Sequence, residues 1–61
     1  MSDLLNQWKE FKVLVESLDL DIHKNGSGNK SAGVRARKGL RQAKKHAAEL
    51  VKASLAADKS D

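Results

Sequence analysis

The chain has 61 residues, with twelve Lys or Arg, eight Asp or Glu, a net charge of +4, no cysteine and no proline. This length allows one domain with a marginal core, and the lack of cysteine excludes disulfides and thiolate metal sites. No apolar run approaches the ~20 residues of a membrane span and no signal-peptide segment is present, so we expect a cytoplasmic protein without a membrane anchor.

Apolar residues in the first third of the chain recur at helical spacing. The interval pattern 4-3-4-3-4 is typical of a helix edge that packs on another helix. It predicts a first helix over about residues 3–22, capped by Ser2 or Asp3, with Trp8 and Phe11 in the core and unavailable for base stacking. The residues of this edge are Leu4, Trp8, Phe11, Val15, Leu18 and Ile22.

A glycine-rich polar segment, residues 23–28, predicts a turn, after which Ser27 or Asn29 can cap a second helix over about residues 29–57. The second helix has an edge of mostly small residues, suited to close packing against the large side chains of the first. We therefore predict an all-α fold, a single antiparallel two-helix hairpin of coiled-coil type. A three-helix histone fold needs a second break within residues 30–57, and none is found. The edge consists of Ala36, Leu40, Ala43, Ala47, Leu50, Ser54 and Ala57.

Several apolar residues have no partner in this hairpin. With Trp8 beside Ala43 and Leu4 beside Ala47, the second helix would project beyond the first. Other apolar residues would lie on the far side of the first helix. We expect these groups to form the interface of a homodimer or higher oligomer, in a four-helix arrangement. The predicted interface residues are Leu50, Val51, Leu55, Val13 and Leu20.

Positive charge is concentrated in the second helix. Residues 29–53 hold eight cations and one acid, whereas residues 1–22 hold two cations and five acids. An unmixed basic face is typical of a surface that binds a polyanion, and nucleic acid is the commonest polyanion in cells. The predicted nucleic-acid-binding residues are Lys30, Arg35, Arg37, Lys38, Arg41, Lys44, Lys45 and Lys52.

Two short motifs superficially resemble ligand sites. The segment from Gly26 to Ser31 lacks the Gly directly before Lys, the preceding strand and the parallel sheet of a phosphate-binding loop. The segment from Asp21 to Ala32 has Ala where a calcium loop needs a bidentate Glu. No catalytic Ser or Cys arrangement and no set of metal ligands can be identified. We expect no enzyme activity, cofactor, metal or small-molecule substrate.

The block from Gly28 to Lys38, GNKSAGVRARK, closely resembles the GNK-x-AG-x-RARK stretch of small bacterial linker-histone-like (histone H1-like) proteins of the chlamydial and Bacteroidetes type. The resemblance implies a nucleoid-associated, DNA-compacting protein with little sequence preference. It also implies that Lys30, Arg35, Arg37 and Lys38 contact the DNA backbone. Long members carry a Lys-, Ala- and Pro-rich tail that is lacking here, so a dimer or filament would have to supply multivalency.

Two functions from different classes follow. The first is binding of double-stranded DNA through its phosphates, with packaging or bridging of DNA in the nucleoid, because Lys and Arg neutralise phosphates and carry little base information. The alternative is a helical assembly module whose basic face binds an acidic protein or RNA. Both kinds of binding weaken as the salt concentration rises, so salt dependence cannot distinguish the two functions. Competition between duplex DNA, duplex RNA and an acidic polypeptide can distinguish them.

Overall fold

The computed structural model describes residues 3–59 and contains three helices, with no strand in that range. They are α1 (Asp3–Ser17), α2 (Asp19–Gly26) and α3 (Lys30–Lys59). Helices α1 and α2 form one bent arm that folds back along α3, in a molecule of 49 × 16 × 11 Å. The all-α prediction is confirmed. The proposed cap at Ser2 lies outside the described residues.

The bent arm changes direction at Leu18. Its N–H donates to the carbonyl of Val15 at 3.1 Å. This is an i to i−3 bond of the 3₁₀ type, in place of the i to i−4 bond of an α-helix. The hydroxyl of Ser17 donates to the carbonyl of Leu14 at 2.6 Å, a side-chain bond that commonly bends a helix. Leu18 is only 7% exposed. The break therefore lies at a residue that packs against α3 at Gly39.

The turn is shorter than the predicted segment 23–28, because α2 continues to Gly26. The N–H of Gly28 donates to Asn25 and that of Asn29 to Lys24, at 2.9 and 3.0 Å. With Gly28 at a φ of 100°, these bonds form a Schellman motif, and glycine is the residue that adopts this backbone without strain. Asn29 directly precedes α3, and its side-chain oxygen accepts from the N–H of Ala32 at 2.9 Å, so the predicted Asn29 cap is confirmed.

The extra helical turn before Gly28 changes which residues of the bent arm face which residues of α3. The pairing predicted for Trp8 with Ala43 and for Leu4 with Ala47 is wrong: these arm residues share a groove with the α3 segment from Leu50 to Leu55. The first turns of α1 thus reach the segment that was expected to project beyond them. A four-residue extension of the arm, which adds about 6 Å of helix, contributes to this shift.

The two helical edges that meet are also rotated from the predicted ones. On the arm, Leu4 and Phe11 are half-buried and Leu18 is buried, as expected. The small residues Ala32, Ala36 and Gly39 on α3 are buried, so the backbones of the arm and α3 approach closely. The contact covers only a narrow strip of each helix surface. Four large residues of the predicted edges are 42–49% exposed in the single chain, which contradicts a core position for them. These residues are Trp8, Val15, Ile22 and Leu40.

Candidate nucleic-acid interface

Helix α3 carries all eight of the predicted nucleic-acid-binding residues, and each of them is exposed. Arg41 lies two residues after Gly39 and two before Ala43, and so points about 160° away from both of these inward-facing positions. Lys38 and Lys45 flank it on the same outer surface. We call this surface the cationic stripe; it comprises Lys30, Arg37, Lys38, Arg41, Lys44, Lys45 and Lys52.

Most of the stripe is free of intramolecular ion pairs. Among residues 3–59, the one stripe residue with an acidic partner is Lys52, whose Nζ lies 3.7 Å from Glu49 Oε1 on the exposed surface. The first acid of α3 is Glu49 itself, so the six cations from Lys30 to Lys44 have no acid within one turn on their own helix, and Lys45 lies one turn before Glu49 without forming an ion pair with it. Uncompensated, solvated cations on a straight helix face suit the repeating phosphates of a polyanion.

Arg35 differs from the other predicted residues. Its Nε and NH2 atoms both lie 3.1 Å from Asp21 Oδ1, which joins α3 to α2. Asp21 is half-buried on the arm, at the edge of the contact between the helices. The pair directs Arg35 toward the arm and balances its charge, so the structure separates Arg35 from the cationic stripe. Sequence reasoning missed this contact because it depends on the shorter turn.

The block from Gly28 to Lys38 has a structural explanation for most of its residues. Gly28 and Asn29 form the turn and cap described above. Ala32 and Ala36 are 0% and 3% exposed and provide the closest packing of α3 against the arm. Arg35 forms the ion pair. The basic residues left for an external partner are Lys30, Arg37 and Lys38, so this stretch mainly builds the turn that positions the stripe.

The aromatic residues lie away from the stripe. Trp8 and Phe11 stack with ring centroids 5.8 Å apart on α1, and Lys12 Nζ lies 5.9 Å from the Trp8 ring centroid. Binders of single-stranded nucleic acid usually place stacking aromatics among the cations of the groove that follows the backbone. The cationic stripe contains Lys and Arg only. This arrangement favours contacts to phosphates over stacking on bases.

Charge is distributed unevenly along the hairpin. The turn end, residues 11–47, holds nine cations and three acids and has a net charge of +6. The open end, residues 3–10 and 48–59, holds three cations and four acids and has a net charge of −1. The electrostatic attraction for a polyanion is therefore strongest near the turn, around Arg37, Lys38 and Arg41.

The predicted interface residues do not lie on one surface. An apolar groove of about 520 Å³ opens at the open end, and Leu50, Val51 and Leu55 line it. Val13 and Leu20 are 66% and 63% exposed and are absent from it. Sequence reasoning also missed three groove residues from α1, which the shorter turn brings opposite α3. The six large apolar residues of this open-end groove are Leu4, Leu5, Trp8, Leu50, Val51 and Leu55.

Comparison with known proteins gives one match. The family model described as histone H1-like protein Hc1 matches residues 5–60, nearly the whole chain. The chain matches no curated protein and no solved structure. None of the described helices has the length and apolar content needed to cross a membrane. Membership of a histone H1-like family implies association with DNA, in agreement with the exposed cations of α3. The chain belongs to the histone H1-like protein Hc1 family.

Proposed function

We propose that this protein binds double-stranded DNA through its phosphates, with little sequence preference, and packages or bridges DNA in the nucleoid. The observation that carries the proposal is the cationic stripe. Six of its residues have no ion pair among residues 3–59, and the stripe lies on the side of α3 turned away from the arm. Family membership supports DNA as the polyanion.

Affinity in this proposal comes from neutralising phosphates and releasing counterions. The stripe offers no aromatic platform, and its Lys and Arg are spread along one helix face as suits phosphates, so we expect one sequence to bind about as well as another. Arg37 and Arg41 can enter a narrow minor groove, which gives at most a modest preference for A/T-rich or easily bent DNA. No catalytic step, cofactor or small-molecule substrate is part of the proposal.

Packaging requires that one particle holds more than one DNA-binding surface. One chain has a single stripe on a single helix, so we propose a homodimer as the unit that bridges or packages DNA. The nucleoid is the compartment that this function implies.

A competition experiment separates this function from binding of an acidic protein or RNA. Protein is bound to a fluorescent duplex DNA at fixed ionic strength and titrated with four unlabelled competitors. These are the same duplex, a duplex of scrambled sequence, duplex RNA of the same sequence, and polyglutamate of equal total charge.

The two DNA duplexes should compete equally and polyglutamate at least tenfold more weakly, because duplex DNA carries one charge per ~1.7 Å of axis and a condensed counterion layer. If duplex RNA or polyglutamate competes tenfold better than DNA, the alternative function is correct. If the scrambled duplex fails to compete, base readout is present and the proposal is wrong.

A further inference from the structure

The open-end groove leaves large apolar side chains in contact with solvent. Leu5 is 59% exposed, Trp8 46%, Val51 61% and Leu55 56%. They line a groove of about 520 Å³ between the first turns of α1 and the last turns of α3. Only Leu18, Ala32 and Ala36 are buried hydrophobic residues among residues 3–59, and this groove holds four of the ten large apolar side chains that are exposed in that range.

The accessible surface is larger than that of a compact monomer of the same mass. A compact monomer of this mass, 6.7 kDa, exposes about 3,900 Å², whereas this chain exposes 4944 Å². The radius of gyration is 14.4 Å, against about 10.5 Å for a compact chain of this length. The excess of about 1,000 Å² is comparable to the ~800 Å² that each partner buries in a standard interface. The elongated single chain therefore leaves enough surface uncovered for an interface of standard size with one further chain.

Charge decides how two copies can meet. A two-fold dimer that overlaps in parallel along the whole hairpin can join the two apolar grooves, but it places the two turn ends, each of charge +6, side by side. An antiparallel overlap along the whole hairpin keeps the turn ends apart, but it places each groove beside the partner's turn end and leaves it without apolar cover. Overlap of the open ends alone brings together segments of charge −1 and keeps the turn ends far apart. The apolar groove lies in this nearly neutral region, where association costs the least electrostatic repulsion.

We propose that the open-end groove is covered by the same groove of a second copy, so that the dimer joins at its open ends and the two turn ends point in opposite directions. The arrangement of the dimer does not depend on the proposed function, but its consequence for DNA bridging rests on it. Two cationic stripes that face away from each other would hold two separate duplexes, which means bridging rather than wrapping around one duplex.

The chain offers a matched pair of positions to test this arrangement. Val34 and Val51 are both valines of α3 and both 61% exposed, but Val34 lies at the turn end and Val51 in the groove. Because the sequence has no cysteine, Val34→Cys or Val51→Cys introduces the only thiol. A short bis-maleimide should convert Val51→Cys to covalent dimer in high yield and leave Val34→Cys monomeric. Equal cross-linking of both variants, or preferential cross-linking of Val34→Cys, would overturn the proposal.

Charge substitution at the same two positions gives an independent measurement. In sedimentation, the parent and Val34→Lys should be dimers at micromolar concentration, whereas Val51→Lys should be a monomer of unchanged helicity. Trp8 emission should shift to the red in Val51→Lys alone, because Trp8 lines the groove. A monomeric parent would also overturn the proposal.

DNA experiments separate this inference from the proposed function. Val51→Lys should still bind one duplex but lose the ability to capture a second duplex on beads that carry the first. If the parent dimer cross-links through Val51→Cys but binds no DNA, the interface stands and the proposed function fails. If both the parent and Val51→Lys bridge duplexes equally, the open-end dimer is not the bridging unit.

Discussion

Leu18 of the bent arm packs directly onto the backbone of Gly39 in α3. A Cβ atom built on Gly39 would overlap Leu18 Cδ2 and lie 3.2 Å from Leu18 Cγ. Leu18 is 7% exposed, so it has little room to move away. This contact sets the distance between the arm and α3, and it lies at the break that separates α1 from α2.

Replacing Gly39 by Ala should therefore lower the free energy of unfolding, although Ala is the better helix former. Overpacking a close contact typically costs ~1–3 kcal/mol, against a helix-propensity gain of ~1 kcal/mol. Gly26→Ala is the control, because a Cβ there meets nothing within 4 Å and should stabilise. Urea unfolding of both variants at one protein concentration, followed by circular dichroism, measures the difference. Equal stabilisation by the two substitutions would contradict the close contact.

Asn29→Ala should destabilise the hairpin by about 1 kcal/mol, within the usual range of ~0.5–2 kcal/mol for an N-cap. The physical reason is the loss of the bond from the Ala32 N–H to the Asn29 side chain, at 2.9 Å. Asn6→Ala, at an exposed position within α1, is the matched control and should not destabilise. Thermal unfolding of the two variants decides the point; an equal effect at both positions would show that Asn29 is not a cap.

Arg35 and Arg37 should contribute unequally to DNA binding, although both belong to the RARK sequence. Arg35 is held by Asp21 at 3.1 Å, whereas Arg37 has no acidic partner among residues 3–59. Arg37→Ala should reduce the slope of log affinity against log salt by ~0.9, the value for one lost phosphate contact, and Arg35→Ala by much less. Asp21→Asn should strengthen binding by releasing Arg35. Equal losses for the two arginine variants would mean that the ion pair opens on DNA.

The class of fold could be predicted from the sequence because Leu4, Phe11 and Leu18 recur at seven-residue intervals and α3 contains no helix breaker. The face of α1 that turns toward α3 could not be predicted from the sequence. Trp8 and Gln7 both lie next to this row of residues, and hydrophobicity alone favours Trp8. The small residues Ala36 and Gly39 allow the backbones so close that Gln7 becomes half-buried and Trp8 remains 46% exposed.

The cationic stripe follows directly from composition, since the spacing of Lys38 and Lys45 places them on one face of any helix. Which of the cations of α3 belong to the stripe could be decided only from the geometry of the turn. The sequence predicts Gly26 within the turn, but Gly26 is the last residue of α2, and this extension brings Asp21 to Arg35. The same extension brings Leu5 opposite the last turns of α3, so the open-end groove could not be anticipated from the predicted turn.

The most direct test of the central proposal compares two triple variants with the same loss of three positive charges. One removes stripe residues, with Arg37, Arg41 and Lys45 replaced by Ala. The other removes exposed cations of the bent arm, with Lys9, Lys12 and Lys24 replaced by Ala. Duplex affinity is measured across a range of salt concentrations for each variant and for the parent, with helicity checked by circular dichroism.

We expect the stripe variant to lose most of its affinity for unrelated duplexes alike and to reduce the salt slope by ~2.7, and the arm variant to retain the parent slope. Equal losses in the two variants would show that net charge, and not the stripe on α3, determines binding. An unchanged affinity in the stripe variant would show that the exposed cations of α3 serve only to keep the helix solvated, and the proposed DNA interface would be wrong.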